Sequence, residues 1–428
     1  MNKTENKLVP ELRFPEFIND GEWKEKKLSQ LAEIKGRIGF RGYTINDIVN
    51  KGSGAITLSP SNIDENGTLN FEKSTYISWF KYEESPEIKL EEGQTVLVKT
   101  ASVGKTAYIK NLPEKATVNP QIVVLKPTDI NPLFLSYIIA HKSVQDQIKS
   151  NVGAGAIPNL SQDSISKFNL LIPSLPNEQQ KIADCLSSLD EAISAHSDKL
   201  EALKNHKKGL LQNLFPQEGE TVPKYRFPEF KNDGKWEEKS LGKLLLRKPE
   251  YGINAPASPY SDNLPTYLRI TDISEEGNFL SNNKVSVDRD VSEINYLLKG
   301  DIVLARTGAS VGKSYMYREK DGKLVFAGFL IRVSPNNKKL NSEFLFQFLS
   351  TSQYWKWVSF ISARSGQPGI NGTEYSSMPI NIPPNIKEQQ KIADCLSEVD
   401  NLITAQTNKI EQLKAHKNGL MQRLFPKA

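Results

Sequence analysis

A segment of forty residues occurs twice in this chain, and that repeat constrains the fold more than any other feature. Residues 177–216 recur as 387–426 with 25 of 40 positions identical at a fixed offset of 210. A second pair, 10–28 and 223–241, is offset by 213 and shares 13 of 19 residues, among them Arg-Phe-Pro-Glu-Phe, Asn-Asp-Gly and a tryptophan, Trp23 and Trp236. A period this long is not that of a solenoid, so the plan is two large units, each followed by a shorter repeated segment. The length of 428 residues leaves room for two or three separately packed domains. The expected divisions are 1–176 and 217–385 for the large units and 177–216 and 386–428 for the segments, with Pro216 to Pro223 as the linker between the halves.

The repeated segments read as helices that pair along a narrow seam. In the first, Ile182, Leu186, Leu189, Ile193, His196, Leu200, Leu203, Lys207, Leu210 and Leu214 follow alternating steps of four and three residues. The second gives Ile392, Leu396, Val399, Ile403, Gln406, Ile410, Leu413, Lys417, Leu420 and Leu424, with polar residues at the same two places. Each helix is then on the order of 50 Å long at about 1.5 Å per residue. A stripe that narrow must be buried against a similar one, and its own repeat is the other seam of this length, so an antiparallel intramolecular coiled coil is expected. The polar seam residues read as register-setting or solvent-exposed positions. Cys185 and Cys395, each one residue before a seam leucine, read as flanking thiols near Met421 and Leu211.

The large units read as α/β. Each carries a strand, turn and strand (Gln94 to Thr106; Asp301 to Ser314), then a strand (Gln121 to Lys126; Val325 to Val333), then a helix rich in aromatics (Pro132 to Ser150; Ser342 to Phe360). A glycine-rich loop follows, Gly153 to Asn159 in one and Arg364 to Asn371 in the other. Residues 29–57 and 242–267 share little, so one scaffold carries two different surfaces. The hairpins resemble a phosphate-binding loop only superficially. Gly308 and Gly312 enclose three residues where four are needed, Ala101 stands in place of the leading glycine, and the turn leads into a strand, not a helix. No methyltransferase or nuclease motif and no Ser-His-Asp or Cys-His set is present in both halves. Two cysteines and four dispersed histidines make a metal centre unexpected. No apolar run approaches the roughly 20 residues that cross a bilayer, which with the polar amino terminus predicts a cytoplasmic protein with no membrane partner. The net charge of +5 permits a polyanionic partner without requiring one.

Two variable α/β units alternating with two near-identical helices, each opened by Glu-Gln-Gln-Lys-Ile-Ala-Asp-Cys-Leu (Glu178 to Leu186; Glu388 to Leu396), resemble the specificity subunit of type I restriction-modification systems. The segments around Trp23 and Trp236, and the hairpins ending in Val103-Gly104-Lys105 and Val311-Gly312-Lys313, add to the likeness. The resemblance implies two target recognition domains, each reading half of a bipartite site in double-stranded DNA. It also implies spacer helices that dock two methyltransferase (modification) subunits, with restriction subunits joining the full complex. By the same resemblance the chain is not an enzyme and holds no cofactor. S-adenosylmethionine, ATP and Mg2+ would belong to the partner subunits. A scaffold of two protein-binding modules on a coiled coil, with no DNA role, is the alternative. Candidate DNA contacts are loop residues: Arg37, Arg41, Lys99 and Lys105 in the first unit, and Arg247, Arg306, Lys313, Arg364 and Gln367 in the second. Arginine and glutamine suit base edges, and lysine suits phosphates.

Overall fold

The computed structural model describes residues 8–153, 157–363 and 366–426. The chain divides into two compact units, residues 1–196 with 409–428 and residues 197–408. Each therefore combines one variable region with half of each long helix, Pro176–Leu214 and Ile386–Leu424. The divisions expected from sequence fall instead at the ends of those helices.

In the first unit one antiparallel sheet runs in the order Ala32–Gly36, Ile122–Pro127, Thr95–Val98, Thr106–Tyr108. A second runs Ile48–Val49, Thr75–Ser78, Gly54–Leu58, Ala116–Val118, its last pair parallel. Alternation along Thr95–Val98 divides the interior. Leu97, with Val123 and Leu125, faces the helices, while Val96 and Val98, with Ile122 and Val124, pack toward the second sheet. Burial on both faces is why these strands are continuous apolar runs. The second unit repeats this. Glu250–Tyr251, Leu330–Val333, Ile302–Ala305 and Ser314–Met316 form the first sheet. Ser258–Pro259, Val285–Ser286, Thr266–Leu268 and Leu324–Phe326 form the other, again with a parallel last pair. Ile302 and Leu304 face the helices, and Val303 and Ala305 the second sheet.

Two expectations from sequence are corrected. The apolar run Val325 to Val333 is not one strand. It turns at Ala327 to Phe329 and delivers Leu324–Phe326 to one sheet and Leu330–Val333 to the other. The aromatic helix is two helices in each unit, Pro132–Ala140 with Lys142–Asn151, and Ser342–Phe348 with Ser352–Ser362. Both breaks occur at a residue whose backbone is extended and whose side chain caps the next helix. His141 Nδ1 accepts from the Ser143 N–H (3.3 Å) and Thr351 Oγ1 from the Tyr354 N–H (3.3 Å).

The repeated motifs are locks within each unit. Arg13 donates to both carboxylate oxygens of Glu178 (2.8 and 2.7 Å) and to the Gly21 carbonyl (2.7 Å), and Trp23 Nε1 donates to Glu178 Oε1 (3.3 Å). Arg226, Glu388, Gly234 and Trp236 repeat all four bonds. The two glutamines that follow are equally committed. Gln179 Oε1 accepts the Asn131 N–H (2.9 Å) and Gln180 Oε1 the Asn131 side-chain amide (2.7 Å), while Asn131 caps the helix at Phe134. Asn341 does the same with Gln389, Gln390 and Phe344. The Leu-Phe-Pro that ends each long helix supplies a core aromatic. Phe425 packs on Trp23, Phe134 and His141 of the first unit. Phe215 packs on Trp236, Phe344 and Phe348 of the second.

In both units the long helices run antiparallel. Ile182 and Leu186 share a core with Leu424 and Phe425 while Asp190 reaches Lys417 (2.6 Å); likewise Leu214 and Phe215 share one with Ile392 and Leu396 while Lys207 reaches Asp400 (2.7 Å). The seam residues are buried or half-buried throughout. The seam lysines thus bond an aspartate of the opposite helix, a pairing that specifies register. Those aspartates also tie in the variable regions, Asp190 accepting the Tyr137 hydroxyl (2.8 Å) and Asp400 the Gln347 amide (2.8 Å). Both cysteines are free and half-buried, and burial pushes their pKa above the ordinary thiol value, which leaves them poor nucleophiles.

Candidate nucleic-acid interface

In each unit the central strand of the first sheet ends in a cation, Lys99 or Arg306, and both cations are held through their backbone. The Lys99 N–H donates to the Gln121 carbonyl (2.8 Å) and its carbonyl accepts from Leu160 (2.8 Å). Arg306 does so with Phe329 (3.0 Å) and Ile370 (2.9 Å). Two residues on, the turn needs a left-handed backbone, and Ala101 (φ +64°) and Gly308 (φ +77°) supply it. Their N–H groups donate to the carbonyls of Pro158 (2.9 Å) and Pro368 (3.0 Å). Bridges from Thr100 to Asn159 and from Thr307 to Gly369 complete the clamp. The glycine-rich loop, far away in sequence, is thereby laid along the hairpin turn. A strained alanine held by such a clamp is a usual mark of a functional surface.

On this shared frame the side chains differ. Where the first unit has Gly36 opposite Val123, the second has Tyr251 opposite Ile331. A Cβ on Gly36 would meet the Gln162 amide at 2.0 Å, whereas the residue in Gln162's place, Gly372, gives its N–H to the Tyr251 hydroxyl (3.0 Å). The same space is filled from opposite sides. In the second unit the Arg306 guanidinium lies over the Tyr251 ring, 4.8 Å from its centroid. Tyr251 is 50% exposed and Phe329, beside Arg306, 61% exposed. Exposed Gln367 lies next to the turn, its amide nitrogen 3.2 Å from where a Gly308 Cβ would be.

The other candidate cations are already engaged. Arg37 is only 9% exposed and donates to the carbonyls of Val118 and Arg41 and to Thr117 and Ser85, the bonding of a structural arginine. Arg41 lies 3.5 Å from Glu87. Lys105 pairs with Glu65 (2.6 Å) and Lys313 with Glu275 (2.9 Å), the same clamp on the same turn in both units. Arg247 pairs with Glu250 (2.9 Å) and bonds Ser334. Arg364 lies outside the described residues. Of the candidate cations among the described residues, Lys99 and Arg306, which occupy one structural position in the two units, have neither an ion-pair partner nor a side-chain hydrogen bond.

Sequence reasoning missed Tyr251 and Phe329, whose signal is that they differ between the copies inside an otherwise matched frame. It also missed Trp79 and Phe80 of the short helix Trp79–Glu83, 44% and 73% exposed, with Lys115 over the Trp79 ring (5.7 Å). Among the described residues no group of three or more His, Cys, Asp or Glu is arranged to hold a metal ion, and no helix is long and apolar enough to cross a membrane.

Comparison with known proteins gives one answer. The profile of the type I restriction modification DNA specificity domain matches residues 20–205 and 256–415. The putative type I restriction enzyme MjaX specificity subunit of Methanocaldococcus jannaschii is 25% identical over 424 residues, covering 94% of this chain and 93% of that protein. The EcoDI specificity subunit of Escherichia coli is 23% identical, covering 75% and 74%. Among solved structures, the S subunit of a type I restriction-modification system from M. genitalium superposes with a TM-score of 0.63 at 15% identity, covering 98% of this chain and all of that one. Nothing in these matches favours the protein-scaffold alternative. With the profile spanning both variable units and most of both long helices, the chain belongs to the type I restriction-modification DNA specificity family.

Proposed function

We propose that the chain reads a bipartite site in double-stranded DNA, one half with each unit, and that it performs no chemistry itself. The observation that carries this is the duplicated clamp: the same backbone bonds hold an unpaired cation at one position in both units, Lys99 in a frame with Gly36 and Gln121 and Arg306 in a frame with Tyr251 and Phe329. A fixed frame with two different sets of side chains suits a target with two unlike halves. The long helices would dock two methyltransferase subunits, and restriction subunits would join that assembly in the cytoplasm. S-adenosylmethionine, ATP and Mg2+ would be bound by those partners. Selection from a random-sequence duplex pool, with the modification subunit present, tests this. The expected result is an enriched motif of two short blocks separated by unread bases, with adenine methylation there, and neither methylation nor cleavage by the chain alone. Absence of any enriched sequence would overturn the reading.

A further inference from the structure

Resting on that reading, we infer that Arg306 reads a guanine in the half-site recognised by the second unit, with Tyr251 as the platform that aims it. Arginine reads guanine by placing two N–H donors on O6 and N7 in the major groove, which requires the planar guanidinium to be held in one orientation. Four features hold it. The Arg306 backbone is bonded on both sides, to Phe329 and Ile370. The guanidinium is stacked over Tyr251 at 4.8 Å from the ring centroid. The ring is itself fixed through its hydroxyl, which takes the Gly372 N–H at 3.0 Å. Arg306 Nε is shut off from solvent without an acceptor, so the terminal nitrogens are the donors available to a ligand.

The other candidate arginines among the described residues are committed to protein partners. Arg37 is buried in protein bonds, and Arg41 and Arg247 face carboxylates. A stacked guanidinium with no carboxylate partner keeps its charge and its fork geometry for a base, where a lysine would act as a point charge suited to phosphate. Lys99, at the equivalent position of the first unit, has Gly36 where Tyr251 would be and so lacks the platform. The assignment therefore concerns one half-site only.

The test uses the full chain with its modification subunit and the duplex motif enriched from a random pool. One position in the half-site read by the second unit should be guanine. Replacing that base by 7-deazaguanine, which removes the N7 acceptor and leaves pairing intact, should weaken binding of the unaltered protein about tenfold. This arm needs no variant to fold. Arg306→Lys should lose about tenfold of the preference for guanine at that position and become indifferent to the 7-deaza substitution. Tyr251→Leu should show the same loss in smaller degree. Retention of the guanine preference by Arg306→Lys, insensitivity of the unaltered protein to 7-deazaguanine, or a half-site without guanine would each overturn the inference while leaving the bipartite reading standing. A pool that yields no motif would sink that reading first.

Discussion

Arg13, Trp23 and Glu178 in the first unit and Arg226, Trp236 and Glu388 in the second make the same four hydrogen bonds, with lengths that differ by no more than 0.1 Å. Some residues away along the same domains, the glycine-loop clamp carries Gly36, Gln121 and Lys99 in one unit and Tyr251, Phe329 and Arg306 in the other. Both regions are built on matched backbone, yet only the first preserves its side chains. A bidentate arginine–glutamate pair closed to water has no tolerable partial version, because either partner alone is a buried uncompensated charge. The clamp is held by backbone bonds, which are indifferent to what the side chains are. The lock is therefore fixed by energetics and the face is left open to vary.

The largest effect that could break this comparison is loss of the lock. Glu178→Ala strands the Arg13 guanidinium, whose charge is stabilised first by its hydrogen bonds to Glu178, and should cost about 3–5 kcal/mol. Glu388→Ala should cost the second unit about the same. Urea denaturation of both variants checks this, and unequal losses would mean that the two locks are not equivalent.

A smaller effect separates the units by pH. His141, which caps a helix in the first unit and stacks on Phe425 (4.8 Å), is pushed down to about 4 from 6.5, first by burial and then by the charge of Lys142. The unfolded chain therefore takes up this proton before the folded one. The contribution is full above about pH 7 and is lost as pH falls from about 6.5 toward 4, on the order of 3 kcal/mol. Thr351 caps the matching helix of the second unit and does not titrate there. Hydrogen exchange followed by mass spectrometry at pH 7 and pH 5 should show the weakening in residues 132–151 and not, through this cap, in 342–362. His141→Thr should remove the difference.

The smallest effect concerns the turn itself. Ala101→Gly relieves a left-handed alanine and should stabilise the first unit by about 1 kcal/mol, and Gly308→Ala should destabilise the second by a similar amount. Thermal unfolding of the paired variants measures both, and equal signs would show that the two turns are not the same device.

Much of the frame was legible. The seam from Ile182 to Leu214 follows helical spacing over its whole length, and its repeat made the pairing almost unavoidable. The breaks at His141 and Thr351 were not legible, because residues of helical pattern lie on both sides of the short polar stretches His141 to Ser143 and Ser350 to Gln353, and the interruption is made by a side-chain cap. Nor was the division of Val325 to Val333 between two sheets, since strands buried on both faces lose the alternation that marks their ends. Arg37 resembled its neighbours as a loop cation, yet it turns inward to Val118 and Thr117, residues about eighty positions away. Glu178 stood in the repeat, but a glutamate opening a helix looks solvated until its partner Arg13, 165 positions earlier, is placed beside it.

The seating of Phe425 against Trp23 and Phe134 has a consequence for the order of events during synthesis. The second unit lies within one continuous stretch, residues 197–408, so everything it needs has been made once that stretch has left the ribosome. The first unit needs residues 409–428 as well, because Leu424 and Phe425 belong to its core and Leu12 donates its N–H to the Arg423 carbonyl (2.9 Å). Domains fold as units while the chain grows at about 5–20 residues per second, so the first unit waits some ten seconds or more for the roughly two hundred intervening residues. Through that interval Trp23 and Phe134 lack the ring that covers them. The half of the molecule that is made first is the half that is finished last.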